Sequence, residues 1–365
     1  MLKLITLTIF SFSIAAAYGR APSTYSEVRS DLLKTSQNDI IAVLNDFVKS
    51  GAPSRMVSLP GHDKAKDYIL EKIKAYDSRG TGKLVVDQFS PDIAEAKRFY
   101  QADFDSKLEG KVPQNHPEYQ KWLKFTTYMK STAERFGSVQ GINIVWEKAG
   151  LDTSKTLIIA AHYDTVSHDP NTLLINEKSP MPGANYNASG VSVALALIKS
   201  QAVIDLNYNV QVVFLDWQAI GFLGSHRYAQ ELKKVGKTVI GFLNLEMLGQ
   251  DTSFFDKTKK TGNMAVYFRP EDAKFIQGLN QHGSKITSKV NFEAKAIGFD
   301  NSDNIRFWES GYTGGTFTQN WEDDFNPKFY QTPQDTPETL NHSTLYNCYQ
   351  YIGGAVLGTL LDITK

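Results

Sequence analysis

The chain has 365 residues in which 39 Lys and Arg stand against 39 Asp and Glu, so it carries no basic field to hold nucleic acid or anionic lipid. With 41% hydrophobic and 21% charged residues it lies far from the composition of disordered chains and can bury a sizeable core. Its one cysteine, Cys348, excludes an intramolecular disulfide and a cysteine zinc site, so stability comes from packing in one large domain or two smaller ones.

At the start, Lys3, the apolar run from Leu4 to Ile14 and the small residues Ala15, Ala16, Ala17 and Gly19 follow the three-part pattern of a secretory signal. Removal of residues 1–19 leaves residues 20–365 as a single domain of a secreted or periplasmic protein. The run is shorter than the ~20 apolar residues that cross a bilayer, and nothing later in the chain comes close, so no membrane span is expected after signal removal. Export without disulfides fits a bacterial chain. In a eukaryote Asn187-Ala188-Ser189 and Asn341-His342-Ser343 would be glycosylation sequons.

Ser36 stands where a helix cap would, and Ile40, Val43, Leu44 and Phe47 follow at helical spacing. Beyond the breakers Gly51, Pro53 and Pro60, the residues Ala65, Tyr68, Ile69, Ile73 and Tyr76 predict a second amphipathic helix. Residues 77–135 are charged, aromatic and aperiodic, with Pro91, Pro113 and Pro117, and read as an insertion or elaborated loop region with short helices. The chain then changes character. Thr156–Ala161 (TLIIAA), Val210–Leu215 (VQVVFL) and Val239–Leu245 (VIGFLNL) are the continuous apolar runs of buried parallel strands. Helical patterns lie between them, at Val191, Ala194, Leu195 and Ile198 and from Ser225 to Lys234. Strands and helices in alternation predict an α/β sheet with helices on both faces.

Ligands of such sheets bind beyond the carboxyl ends of the strands, so the residues that follow each apolar run are the candidates for chemistry. They are His162-Tyr163-Asp164-Thr165, the stretch from Pro182 to Gly190 (PGANYNASG), Asp216 to Ser225 (DWQAIGFLGS) and Asn244-Leu245-Glu246-Met247. Nearer the C-terminus come Asn301-Ser302-Asp303-Asn304 and Tyr330 to Thr336 (YQTPQDT).

This order and spacing resemble metallopeptidase family twenty-eight, the di-zinc aminopeptidases with their glutamate carboxypeptidase, glutaminyl cyclase and transferrin receptor relatives, over roughly residues 36–362. The resemblance implies a three-layer α/β sandwich around a mixed, mostly parallel sheet. It also implies a metal site, with His162 as a zinc ligand and Asp164 as its support. The bridging carboxylate of the family falls on Tyr186, the catalytic base on Gln218, and further ligands on Ala219, Glu246 and Gln331; the His of an SDH motif becomes Asn304. Zinc draws three or four donors from thiolate, neutral imidazole or carboxylate, and two ions ~3.5–4 Å apart need a bridging carboxylate. A phenol that titrates near pH ~10 and a neutral amide replace neither a carboxylate ligand nor a base.

The expectation is therefore a secreted, catalytically inactive homologue with a peptide or protein ligand in its cleft and no cofactor. The alternative is an active metal-dependent aminopeptidase whose zinc site is rebuilt from His162, Glu246 and either Asp216 or the acidic run Glu322-Asp323-Asp324. Asp216 lies two residues before Gln218 and so points to the same side of a strand. Glutaminyl cyclase chemistry is disfavoured, because its single-zinc ligands fall on Tyr186, Ala219 and Gln331. Tyr186 and Trp217 read as fillers of the vacated space or as an aromatic floor, and His168, His226 and His342 as exposed or capping residues.

Overall fold

The three apolar runs lie side by side in the middle of one sheet, where strands covered on both faces must be apolar along their whole length. The computed structural model describes residues 21–169, 171–251 and 262–363. The expected signal at residues 1–19 lies outside them. Eight strands are present among the described residues: β1 (Lys83–Phe89), β2 (Gly141–Lys148), β3 (Asp152–His162), β4 (Tyr208–Leu215), β5 (Val239–Leu245), β6 (Gly262–Phe268), β7 (Val290–Lys295) and β8 (Gly314–Gln319). Their order is β1-β2-β4-β3-β5-β8-β6-β7. The central pairs β4–β3, β3–β5 and β5–β8 are parallel, as is β6–β7, while β1–β2, β2–β4 and β6–β8 are antiparallel. The sheet is thus mixed and mostly parallel, as expected.

Alternate residues of the central strands feed two cores. Leu157, Ile159 and Ala161 of β3 join the larger one, with α1 (Tyr25–Leu32), α2 (Gln37–Ser50), α3 (Pro60–Tyr76), α6 (Ser189–Gln201), α8 (Ala273–Ile286) and α10 (His342–Leu360). Ile158 and Ala160 turn the other way, against Tyr228, Ala229 and Leu232 of α7 (Leu223–Lys234) and Phe307 of α9 (Asn304–Glu309). Each large apolar side chain fully buried this way contributes roughly 1.5–3 kcal/mol. The Ser36 side chain does cap α2, accepting from the Asp39 amide in a capping box, and Ile40, Val43, Leu44 and Phe47 form its buried face. Among the described residues no helix is long and apolar enough to cross a membrane.

The stretch 77–135 departs from its expected short helices. It holds the edge strand β1, which pairs with β2, and two long helices, α4 (Ile93–Lys107) and α5 (Pro117–Phe136), started by Asp92 and by Pro117 in the first turn. Their apolar sides carry Ala96, Tyr100, Met129, Ala133 and Phe136. These pack with Val166, Tyr186, Trp217 and Met247, so the hairpin roofs the carboxyl ends of the strands. A further helix, α1, precedes the two that the sequence predicts.

Candidate functional site

Because β3, β4 and β5 run parallel, their ends at His162, Leu215 and Leu245 bring His162, Asp216–Ala219 and Glu246 to one side of the sheet. The chain turns sharply there. Trp217, Met247 and Gln331 hold φ of 56°, 54° and 52°, left-handed values that cost non-glycine residues about 1–3 kcal/mol each and gather at functional sites. After β4 the turn needs glycine: a Cβ on Gly224 would lie 2.0 Å from the Asp216 carbonyl oxygen.

The loop before α6 is clamped from two sides. Asp335 accepts from the Asn185 and Tyr186 amides at 2.8 and 2.9 Å. The wholly buried Arg55 donates to the carbonyls of Tyr163, Pro182, Gly183 and Tyr186 at 2.8, 2.6, 2.8 and 3.3 Å. Burial pushes the Asp335 carboxyl up to about 6 and the Arg55 guanidinium down to about 10. Asn187 joins the loop to the end of β5, donating to Leu245 O at 2.8 Å and accepting from Met247 N at 3.0 Å. It is fully buried, so the first sequon offers no glycan site.

Between these clamps the Tyr186 hydroxyl donates to Gln218 Oε1. Both side chains are buried. The Tyr186 ring centroid lies 4.7 Å from that of His162 and 5.6 Å from that of Tyr330, which passes the aromatic contact on to Trp321 at 5.4 Å and to Phe325. Ala219 contributes a methyl group and its amide, which donates to Asp164 Oδ2 at 3.1 Å. Gln331 Oε1 accepts from His168 Nδ1 at 2.7 Å. Since a carbonyl oxygen only accepts, Nδ1 carries the proton and His168 Nε2 is left as an acceptor, with no partner among the described residues. Burial drives this imidazole down to about 4.

His162 donates from Nδ1 to the backbone carbonyl of Asp164 at 3.1 Å. The Asp164 carboxylate lies 3.7 Å from the ring and accepts from the Gln218 and Ala219 amides at 3.1 Å each, so it ties β3 to the β4 turn as well as supporting His162. His162 Nε2 is buried without a hydrogen-bond partner among the described residues, 3.8 Å from Glu246 Oε1. Burial disfavours the imidazolium, but Asp164 and Glu246 prevail and hold its pKa above the ordinary value. Burial lifts the Glu246 carboxyl, and Ser302 Oγ donates to its Oε2.

Several sequence expectations are corrected. Asp216 does not face Gln218: β4 ends at Leu215 and Trp217 is left-handed, so strand alternation stops before it applies. Its carboxylate instead holds His62 Nε2 at 2.8 Å and accepts from the Ile142 and Trp217 amides at 2.8 Å each. The acidic run stays outside the cluster, with Glu322 on Lys295 at 2.7 Å, Asp323 accepting from Asn320 Nδ2 at 3.1 Å and Asp324 from Asn263 Nδ2 at 2.9 Å. His168 is a member of the site. His226 is half-buried beside Glu95 and Glu309, whose carboxylates Arg306 bridges at 2.6 and 2.8 Å. Asn304 is structural, accepting from Thr316 Oγ1 at 2.8 Å and donating to Phe299 O at 2.6 Å. His342 is the first residue of α10, with Nε2 3.1 Å from Pro337 O, but the capping residue is Asn341, whose side chain accepts from the Thr344 amide at 3.1 Å.

A cavity of about 230 Å³ lies between this floor and the hairpin. Tyr186, Gln218 and Gln331 form its base, and Tyr100, Trp122 and Phe125 its roof. No sequence pattern revealed the roof, because its residues share neither strand nor motif with the floor.

A family model described as Peptidase family M28 matches residues 143–356, more than half of the chain. The chain belongs to peptidase family M28. It is 25% identical over 211 residues to Aminopeptidase YwaD of Bacillus subtilis, a match covering 54% of this chain and 40% of that protein. A Probable zinc metalloprotease of Pyrenophora tritici-repentis is 30% identical over 132 residues, 36% of this chain and 26% of the relative. The chain thus spans less than half the length of these curated relatives. The aminopeptidase from Aneurinibacillus sp. strain AM-1 superposes with a TM-score of 0.63 at 17% identity, covering 92% of this chain and 96% of that one. The glutaminyl cyclase of Bacteroides thetaiotaomicron gives 0.60 at 16%, covering 89% and 97%. These likenesses establish a shared M28 fold. The segment matched by the M28 family model starts inside β2 and excludes the α4–α5 hairpin that roofs the cavity.

Proposed function

We propose that this M28 protein is an exported binding protein that does not carry out zinc-dependent peptide hydrolysis. The observation that carries the reading is the hydrogen bond from Tyr186 to Gln218, at the positions where the family resemblance places the bridging carboxylate and the base. Each group occupies the other's polar valence, and neither offers a charge to a metal nor basicity to a water. Ala219 and Gln331 add no anionic oxygen. His162 and Glu246 remain as two donors against the three or four that zinc draws, so the residues present do not fit a two-zinc centre. The cleft is then left to bind a peptide or protein segment without cutting it, and no cofactor is required.

Elemental mass spectrometry on protein equilibrated with zinc and then freed of loosely held ions tests the metal half of the reading. The expected result is well under one zinc per chain and no turnover of aminoacyl p-nitroanilides. One or more tightly held ions, lost in His162→Ala and accompanied by zinc-dependent turnover, would overturn it. That outcome favours the second reading, a rebuilt metal-dependent exopeptidase. Its support is the unpartnered His162 Nε2 facing Glu246 Oε1 at 3.8 Å. Export belongs to the same proposal, and a secreted product beginning near residue 20 is its expected signature.

A further inference from the structure

A second cavity, of about 470 Å³, is lined by the start of α2 at Gln37, the stretch after β5 at Gln250 and Asp251, and the approach to α10 from Glu338 to Ser343. Its volume lies within the ~300–1,000 Å³ of pockets that enclose small ligands, and among the described residues it shares no lining residue with the cavity under the hairpin. Its polar groups are mostly neutral amides. Gln250 is only 7% exposed and lies on the cavity wall, yet its side-chain amide meets no hydrogen-bond partner among the described residues. Such an amide has left water and gained nothing in its place. Asn326 and Asn341, on the same wall, each hold a backbone amide with the side-chain oxygen, that of Lys328 and that of Thr344, at 3.1 Å. Their NH2 groups donate to no partner among the described residues. Two carboxylates, Asp251 and Glu338, also line the space, and Asp251 accepts from Thr344 Oγ1 at 2.7 Å and from the Asn263 amide at 3.3 Å. Phe329 supplies an aromatic ring, His342 has its Nε2 3.1 Å from Pro337 O, and among the described residues no Lys or Arg lines the cavity.

This lining selects by what each ligand class leaves unanswered. An anion would meet two carboxylates and no Lys or Arg. An ammonium, which only donates, would suit the carboxylates but face the amide N–H groups of Gln250, Asn326 and Asn341 with donors of its own. A hydrocarbon would leave every amide unpaired. A hydroxyl both donates and accepts, so it can answer an amide N–H, an amide oxygen and a carboxylate alike. A ring that carries several hydroxyls also keeps C–H faces to pack on an aromatic side chain. We propose that this second cavity binds a neutral carbohydrate of one or two rings, whose hydroxyls exchange hydrogen bonds with the Gln250 amide while a C–H face packs on Phe329. The assignment goes beyond the non-hydrolytic reading above and does not depend on it, because the two cavities are lined by different residues.

Isothermal titration of the full protein at pH 7 with maltose, cellobiose, lactose and N-acetylglucosamine tests the assignment. Glucuronate, glucosamine and cyclohexanol serve as the anionic, cationic and largely apolar comparators. At least one of the four neutral sugars should bind 1:1 with a Kd below about 1 mM, and every comparator at least roughly tenfold more weakly. Gln250→Leu replaces an unpartnered amide by an apolar group of similar size, so it should fold and weaken sugar binding about tenfold. Phe329→Ala should weaken binding as well and supplies the test if Gln250→Leu does not fold. Trp122→Ala, in the other cavity, should leave sugar binding unchanged. No binding by any of the four sugars, equal or tighter binding of a comparator, binding indifferent to both Gln250→Leu and Phe329→Ala, or binding lost in Trp122→Ala overturns the assignment. None of these outcomes bears on hydrolysis, which the aminoacyl p-nitroanilide assay decides separately.

Discussion

The Tyr186 hydroxyl donates to Gln218 Oε1, and two polar groups buried beneath the α4–α5 roof thereby satisfy one another. Removing the hydroxyl leaves the buried amide oxygen without this donor. Tyr186→Phe is expected to lower stability by about 1–3 kcal/mol, read as a fall in the urea midpoint with an unchanged slope. An unchanged midpoint would mean that the contact contributes nothing.

Gln218→Glu places a carboxyl at the position of the family base. It is expected to restore no peptidase activity, since Tyr186, Ala219 and Gln331 still deny the zinc ions their ligands. The new carboxyl is buried, so its pKa rises on folding. A raised carboxyl pKa makes stability fall as pH climbs from about 4 toward the folded value. The variant should therefore match the parent near pH 4 and lag behind it at pH 8. Measurable hydrolysis by this single variant would refute the argument that metal loss is the deeper defect.

His62 and Asp216 give a pH dependence of opposite origin. The His62 ring stacks on Tyr163 at 5.2 Å and lies against the Asp216 carboxylate at 2.8 Å. Burial disfavours the imidazolium, yet Asp216 outweighs it and lifts the pKa above the ordinary value. Stability from the pair is fully present below the unfolded imidazole value of about 6.5 and is lost as pH rises through the higher folded one. Urea unfolding between pH 5 and 9 should show that decline in the parent and a flatter profile in His62→Gln. Parallel profiles would sink the assignment.

Arg55→Met removes a guanidinium that donates to four carbonyls around the loop before α6. Each carbonyl left unbonded in the interior costs about 1–3 kcal/mol, so the loss should reach several kcal/mol. The Asn185 and Tyr186 amides, which rest on Asp335, should lose hydrogen-exchange protection before the strands do. Loss confined to global unfolding would show that the clamp and the core are one unit.

Much of the fold was legible because β3, β4 and β5 are covered on both faces and so read as unbroken apolar runs. Their parallel ends then had to gather His162, Gln218 and Glu246. The hairpin was not legible: α4 and α5 bury only one side, and the roles of Tyr100 and Phe125 come from a floor more than forty residues away in the chain. Asp216 was misplaced by applying two-residue alternation one step past the end of β4, where Trp217 takes a left-handed backbone. His168 follows His162 by six residues, but nothing in that spacing shows that Gln331, from the far end of the chain, would hold its Nδ1.

The aromatic succession from Tyr186 through Tyr330 and Trp321 to Phe325 ends in a side chain that is 41% exposed. Trp122 stands at the other rim of the cavity, 5.4 Å from Phe125. Two indoles therefore stand near the cavity, Trp122 coupled by ring edges to Phe125 of its roof and Trp321 by ring edges to Tyr330 of its lining while stacked outward on Phe325. Intrinsic emission from Trp122, and from Trp321 through Tyr330, would report in colour and in quenching a change in the cavity, so the protein carries its own optical label.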